Sequence, residues 1–215
     1  MKKIIDRIKN IPSYGKIYVL ISLVSHFAVY YLPLIFGRDT VRTLSSAFDS
    51  ATPLIPAFVY IYVAAFPFWV MSYIHIYSKD RRTARRMLFA DLFCKVVATL
   101  CYCLYPCTLV QPLPEQITGI GAWALKIVYY FDKPTNLLPS MHCFVSWLCA
   151  RPLMSRQTKE SKKNIICSAV FAILIFASTV FTKQHVILDV ITGFAVAEIG
   201  WLISHFAIKK DSANA

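Results

Sequence analysis

The chain has 215 residues, is 57% apolar, and combines a net charge of +12 with a mean hydropathy of +0.55. Its long uncharged runs exclude an ordinary soluble domain. Its basic residues gather at the flanks of those runs, which excludes nucleic acid as a partner and points to a bilayer.

A helix that crosses a bilayer needs about 20 apolar residues. Backbone in lipid must bond internally, so the apolar runs are read as helices. The expected architecture is an all-α, integral-membrane bundle of six transmembrane helices. Residues 1–15 form a basic N-terminal segment, broken by Pro12, Ser13 and Gly15 and expected along the inner surface. The membrane domain occupies 16–208, with spans near 16–36, 56–77, 87–110, 139–155, 165–182 and 185–208, and residues 209–215 form a short tail. The first run lacks a small-residue cleavage site around Leu32–Phe36 and is kept as a span rather than a signal peptide.

Between the first two spans, residues 37–55 form an outer loop, in which Asp49 is expected to cap or turn the chain ahead of Pro53 and Pro56. In the third span Asp91 and Lys95 stand four apart, and a structural ion network with Glu198 of the sixth span is expected. Residues 111–138 form the longest outer segment. Pro112 and Pro114 mark a turn there, and a short interfacial helix is expected over 121–131, with Trp123, Tyr129 and Tyr130 in the headgroup layer.

Alternate connections carry the positive charge: Lys2, Lys3, Arg7, Lys9 and Lys16; Lys79, Arg81, Arg82, Arg85 and Arg86; Arg151, Arg156, Lys159, Lys162 and Lys163; Lys209 and Lys210. The opposite side holds only Arg38, Arg42, Lys126, Lys133 and Lys183. The positive-inside rule then makes both termini cytoplasmic, with anionic lipids as partners of that face of a cell-membrane protein. Most of the seven cysteines fall inside spans, as small apolar residues. Cys107 and Cys143, near outer helix ends, are the one pair whose positions leave a bridge open.

Chemistry concentrates at the outer ends of the fourth and sixth spans. Pro139 is expected in the first turn of one helix, followed by Ser140 and His142, while Lys183 and His185 precede the other, which carries Asp189. Two helix N-termini converging on one outer pocket would favour a phosphate. Ser140 would add a hydroxyl and Lys183 a charge. His185 and Asp189 share a helix face. The carboxylate can hold one ring nitrogen, leaving the other as a nucleophile. His142 can serve as the acid and base. His26, His75 and His205 are read as satisfied polar residues between helices. A metal reading of two histidines and a carboxylate is weakened by Lys183 and the positive helix ends.

The motif Pro139-Ser140-Met141-His142, with Lys183-Gln184-His185 and Asp189, resembles the second and third motifs of the type-2 phosphatidic acid phosphatase superfamily. Asn136, Thr182 and Gly193 resemble its inositol phosphorylceramide synthase and sphingomyelin synthase-like branch. The resemblance spans about residues 50–205 and implies a six-helix core. It implies His185 as the nucleophile that forms a phosphohistidine, Asp189 as its orienting group and His142 as the general acid. It also implies independence of metal or organic cofactor. Gln111, in the stretch 105–112, stands where the resemblance leads one to expect arginine, and the arginine of the third motif is absent near Ser178 and Thr179. Gln111 offers a hydrogen bond but no guanidinium fork. The sequence thus leads to a phosphatase acting at the outer face on a phospholipid or isoprenyl (di)phosphate. A phosphotransferase, or a non-enzymatic lipid-binding or transport protein with a degenerate pocket, are the alternatives.

Overall fold

The computed structural model describes residues 11–36 and 41–208. The segment 1–10 and the tail 209–215, which carry the expectations of a surface-lying start and a cytoplasmic end, lie outside them. Among the described residues the α-helices are α1 (Ser13–Phe36), α2 (Ala47–Ala51), α3 (Val59–Tyr77), α4 (Arg81–Leu104), α5 (Ala122–Phe131), α6 (Met141–Ala150), α7 (Lys162–Phe181) and α8 (Ile187–Ala207). Five of them are long and apolar enough to cross a membrane: α1, α3 with the 3-10 turn before it, α4, α7 and α8.

The fourth expected span is the one that differs. α6 is ten residues long, roughly 15 Å of helix against about 30 Å of bilayer core. Ser140 caps its start, its side chain accepting from the Cys143 N–H, and at its other end the 3-10 turn Arg151–Met154 contains Pro152. Nearly all of α6 is buried, from His142 through Ala150, because α3, α4, α7 and α8 pack around it. It is the central post of the bundle rather than a lipid-facing rod.

Local sequence sets the other boundaries. Asp80 caps α4 and Ser161 caps α7, each accepting the N–H three residues on. α4 stops at Leu104, short of the expected 110, because Pro106 follows and the chain turns into a two-residue strand, β2 (Cys107–Thr108). β2 pairs in parallel with β1 (Arg42–Thr43), and Cys107 also bridges to Asn136. Three connecting segments distant in sequence are thereby tied together. α5 forms where an interfacial helix is expected. Trp123 and Tyr130 are exposed on it, but Tyr129 turns inward and donates to the Thr182 carbonyl at 2.7 Å.

Small residues let α8 approach its neighbours closely. A side chain on Gly193 would meet the Ser140 carbonyl oxygen at 2.7 Å, and one on Gly200 would meet Cys94 Sγ at 2.9 Å. The first approach sets α6 beside the start of α8.

The expected ion network has different partners. Lys95 Nζ reaches Asp91 Oδ2 (2.7 Å), the Ser22 carbonyl (2.7 Å) and Ser25 Oγ (2.9 Å), so it joins α4 to α1. Glu198 instead accepts from Arg151 Nε at 2.8 Å and from Trp147 Nε1 at 2.5 Å, both nearer to it on α6 and the turn after it. All seven cysteines are free thiols, Cys107 and Cys143 included.

Candidate active site

The turn between α7 and α8 carries His185. The Gln184 N–H donates to the Thr179 carbonyl and the Lys183 N–H to the Val180 carbonyl, the paired bonds of a helix C-cap. Lys183 takes the left-handed conformation this cap requires, with φ 51°. Segments distant in sequence brace the turn: Tyr129 holds Thr182, and the Ile55 N–H donates to the Phe181 carbonyl at 2.9 Å.

His185 Nδ1 lies 3.2 Å from Asp189 Oδ2, which also accepts the Val186 N–H at 3.0 Å. A carboxylate oxygen that already holds an N–H accepts again, so Nδ1 carries the ring proton and Nε2 keeps its lone pair. Asp189 is fully buried, and its Oδ1 has no hydrogen-bond partner among the described residues. The Ser140 N–H donates to the Asp189 carbonyl at 3.0 Å, locking α6 to α8.

His142 faces this assembly from α6, its ring centroid 6.1 Å from that of His185. Tyr62 stacks on it at 4.2 Å, and Phe66 and Trp69 close the aromatic box. His142 Nε2 is buried and has no partner among the described residues. Both histidines line one cavity of about 420 Å³. Phe27, Tyr31, Phe66 and Val70 line it too and are exposed on the outer surface of the bundle, so it opens sideways between α1 and α3. A second cavity of about 360 Å³ lies on the other side of His185, with Thr43, Ser45, Asp49, Gln111 and Lys183 in its wall.

The structure thus brings together His142, His185 and Asp189, and it corrects the surroundings expected for them. Ser140 is the N-cap of α6, fully buried and outside both cavity walls, because its hydroxyl serves the Cys143 N–H. Pro139 consequently lies before the helix rather than in its first turn. Lys183 Nζ is held by the carbonyls of Asp49 (2.7 Å) and Thr52 (2.5 Å), and it faces the second cavity. Burial lowers the pKa of Lys183, opposed by Asp49. The start of α8 does not offer a free anion site either, since Asp49 Oδ1 accepts the Ile187 N–H at 2.8 Å. Asp49 is therefore a cap, as expected, but of a helix far along the chain. Gln111 reaches the histidine cavity only through Gln184, to whose Oε1 it donates at 3.1 Å.

Other residues in the histidine cavity carry no motif. Lys133, exposed at its mouth, supplies a cation, with Nζ 5.8 Å from the Tyr130 ring. Asp132 accepts from the Tyr62 hydroxyl at 2.6 Å. Burial raises the Asp132 pKa, while that hydrogen bond and His185 pull it down. The signal available in sequence is position alone: Asp132 and Lys133 follow directly on α5. His26, read as a packing residue, also lines this cavity. His75 meets Glu160 at 2.7 Å, at the opposite end of the bundle. Among the described residues no group of three or more His, Cys, Asp or Glu side chains is placed to hold a metal ion.

Compared with known proteins, residues 28–203 match the family model described as the PAP2 superfamily. No curated protein and no solved structure gives a significant match.

Proposed function

Because the chain belongs to the PAP2 superfamily, whose model covers most of its length, we propose that it is an integral-membrane lipid-phosphate phosphatase working through a phosphohistidine. Superfamily membership suggests phosphatase or phosphotransferase activity on lipid phosphates. The observation that carries the finer reading is the approach of two imidazoles, 6.1 Å between centroids, on one cavity that opens toward lipid.

His185 Nε2 attacks the phosphorus, and the bond from phosphorus to the lipid oxygen breaks. Protonated His142 gives its proton to that departing oxygen. Water then attacks the phosphohistidine, His142 takes the water's proton, and inorganic phosphate leaves with His185 restored. Asp189 holds the reactive tautomer throughout. Lys133 supplies positive charge near the cavity mouth. Gln111 orients Gln184, and Ser140 and Lys183 fix the two helix starts. The hydrocarbon tail, from a phospholipid or an isoprenyl phosphate, lies between α1 and α3. No metal or organic cofactor takes part. With α6 and its 3-10 turn counted as a sixth crossing, the basic end faces the cytoplasm and anionic lipid, and the histidines face outward.

The second, polar cavity favours a second reading. An alcohol seated beside Lys183 and Gln111 would take the phosphoryl group in place of water, making the protein an inositol-phosphorylceramide-synthase-type phosphotransferase.

The test is phosphate release from a panel of lipid phosphates by the purified chain in EDTA. Release that survives the chelator and falls to background in His185→Ala supports the phosphatase. Phosphoryl transfer only when a polyol or lipid alcohol is added supports the transferase. Lipid binding without turnover on any pair would make this a binding or transport protein, and complete loss in EDTA would return the metal reading.

A further inference from the structure

A third cavity, of about 520 Å³, lies at the basic end of the bundle, where α4, α8 and the 3-10 turn after α6 meet. Arg86, Arg151, Ser155, Glu198 and Trp201 stand in its wall. From the start of α8 to Trp201 is roughly 21 Å of helix, so this cavity is remote from the histidine site.

Arg86 is the unusual member. A basic side chain near a membrane surface ordinarily extends its charge to water. Arg86 is instead 6% exposed, and its guanidinium keeps its proton there. Its Nε donates to Ser204 Oγ at 3.2 Å, one terminal nitrogen reaches the Trp201 carbonyl at 3.5 Å, and the group lies 4.1 Å over the Trp201 ring. Every one of these partners is neutral. Among the described residues no carboxylate pairs with Arg86. A buried charge without a counter-ion is costly. No Arg86 nitrogen is both sealed off and without a partner, so its spare N–H groups open on the cavity it lines.

The rest of the wall does not supply the missing anion. Glu198 is taken up by Trp147 and by Arg151, whose Nε lies 2.8 and 3.1 Å from its two oxygens. That contact uses only the Nε–H of Arg151, whose terminal N–H groups have no partner among the described residues. Two guanidinium groups and one carboxylate leave the wall with a positive excess. Ile199 and Leu202, 50% and 61% exposed, line the same cavity, so it opens onto the apolar outer face of α8. We propose that this cavity is a second ligand site, which takes the phosphate of an anionic phospholipid from the leaflet at the basic end. The Arg86 and Arg151 forks hold the phosphate oxygens, and the acyl chains run along Ile199 and Leu202. A zwitterionic lipid brings no net charge to offset the excess, so the site prefers an anionic one.

The test is binding of phosphatidylglycerol and of phosphatidylcholine, with identical acyl chains, to the purified full-length chain, followed by native mass spectrometry. Phosphatidylglycerol is expected to bind about tenfold more tightly. Arg86→Met should bring the ratio near one. Ser155→Glu should do the same by placing a carboxylate in the cavity wall, at a position whose side chain makes no capping bond, so the fold is retained. Lys162→Ser with Lys163→Ser, exposed charges outside the cavity, should leave the ratio unchanged. Equal binding of the two lipids by the parent, or a preference that survives in both Arg86→Met and Ser155→Glu, would overturn the proposal. A preference lost with the two lysines would do so too, by making the attraction diffuse. Displacement of the lipid by inorganic phosphate at equal concentration would assign the site to a soluble anion instead.

Discussion

Two buried charged clusters are built on opposite principles. In the Asp91–Lys95 cluster every polar atom is used. Lys95 directs its three N–H bonds to Asp91, Ser22 and Ser25, and Asp91 fills its second oxygen with the Tyr73 hydroxyl. In the His142–His185–Asp189 cluster, His142 Nε2 and Asp189 Oδ1 have no partner among the described residues, and a cavity adjoins the histidines. A satisfied network in low dielectric fixes helices together. An unsatisfied one beside a cavity is the kind of exception that accompanies a catalytic group. Ionisable residues within the bundle thus divide by saturation rather than by type.

The comparison is broken most severely at the saturated cluster. Asp91→Leu should cost about 3–5 kcal/mol by leaving the Lys95 charge buried and unpaired, seen as a fall in melting temperature in detergent. Pairing it with Lys95→Met should recover much of that loss. No recovery would mean the pair is not the unit described.

At the unsaturated cluster the expected loss is of rate. His142→Ala should lower phosphate release by about 10²–10⁴-fold for a lipid alkoxide leaving group, and much less for p-nitrophenolate. Its fold should stay close to that of the parent by thermal melting. Equal slowing with both leaving groups would remove the acid role.

Gly193 tests whether the geometry between α6 and α8 matters. Gly193→Ala places a Cβ 2.7 Å from the Ser140 carbonyl, so the helices must separate. Turnover is expected to fall by up to about 10²-fold, with about 1–3 kcal/mol of stability lost. Unchanged kcat would show that the histidines tolerate a looser fit.

The smallest effect belongs to a salt bridge at the opposite end. Glu160 is held by Lys79 at 2.8 Å and His75 at 2.7 Å. Burial pushes its pKa up, but hydrogen bonds from Lys79, Asn164, His75 and the Ser161 N–H outweigh that, bringing it down from 4.5 to about 2. A carboxylate depressed in the folded state adds stability above its unfolded pKa and loses it as pH falls toward the folded one. The stability difference between parent and Glu160→Gln, followed by melting temperature, should therefore be full at pH 6 and shrink toward pH 3. A constant difference would contradict the pairing.

Much of this was legible in sequence because it is local. Apolar length marked the long helices, and the four-residue spacing of His185 and Asp189 put both on one face of a helix start. What escaped depends on contacts between distant segments. Asp49 caps Ile187, and no local pattern announces a partner so far along the chain. That same contact removes the free helix end from the site, and the hold of Asp49 and Thr52 on Lys183 turns the lysine to the second cavity. The parallel pairing of β1 with β2 and the inward turn of Tyr129 likewise need the assembled bundle. Ser140 was read as a phosphate donor because its type permits that, yet the same hydroxyl is an ordinary helix cap.

The central claim is that His185 becomes phosphorylated. Rapid mixing of the purified chain with a ³²P-labelled lipid phosphate, followed by alkaline quench and peptide mapping, should place acid-labile, base-stable label on the peptide containing His185. The label should be absent in His185→Ala and should persist longer in His142→Ala, where water is no longer activated. Turnover of the lipid phosphate with no protein-bound label at any time, or with label on another residue, would contradict the account.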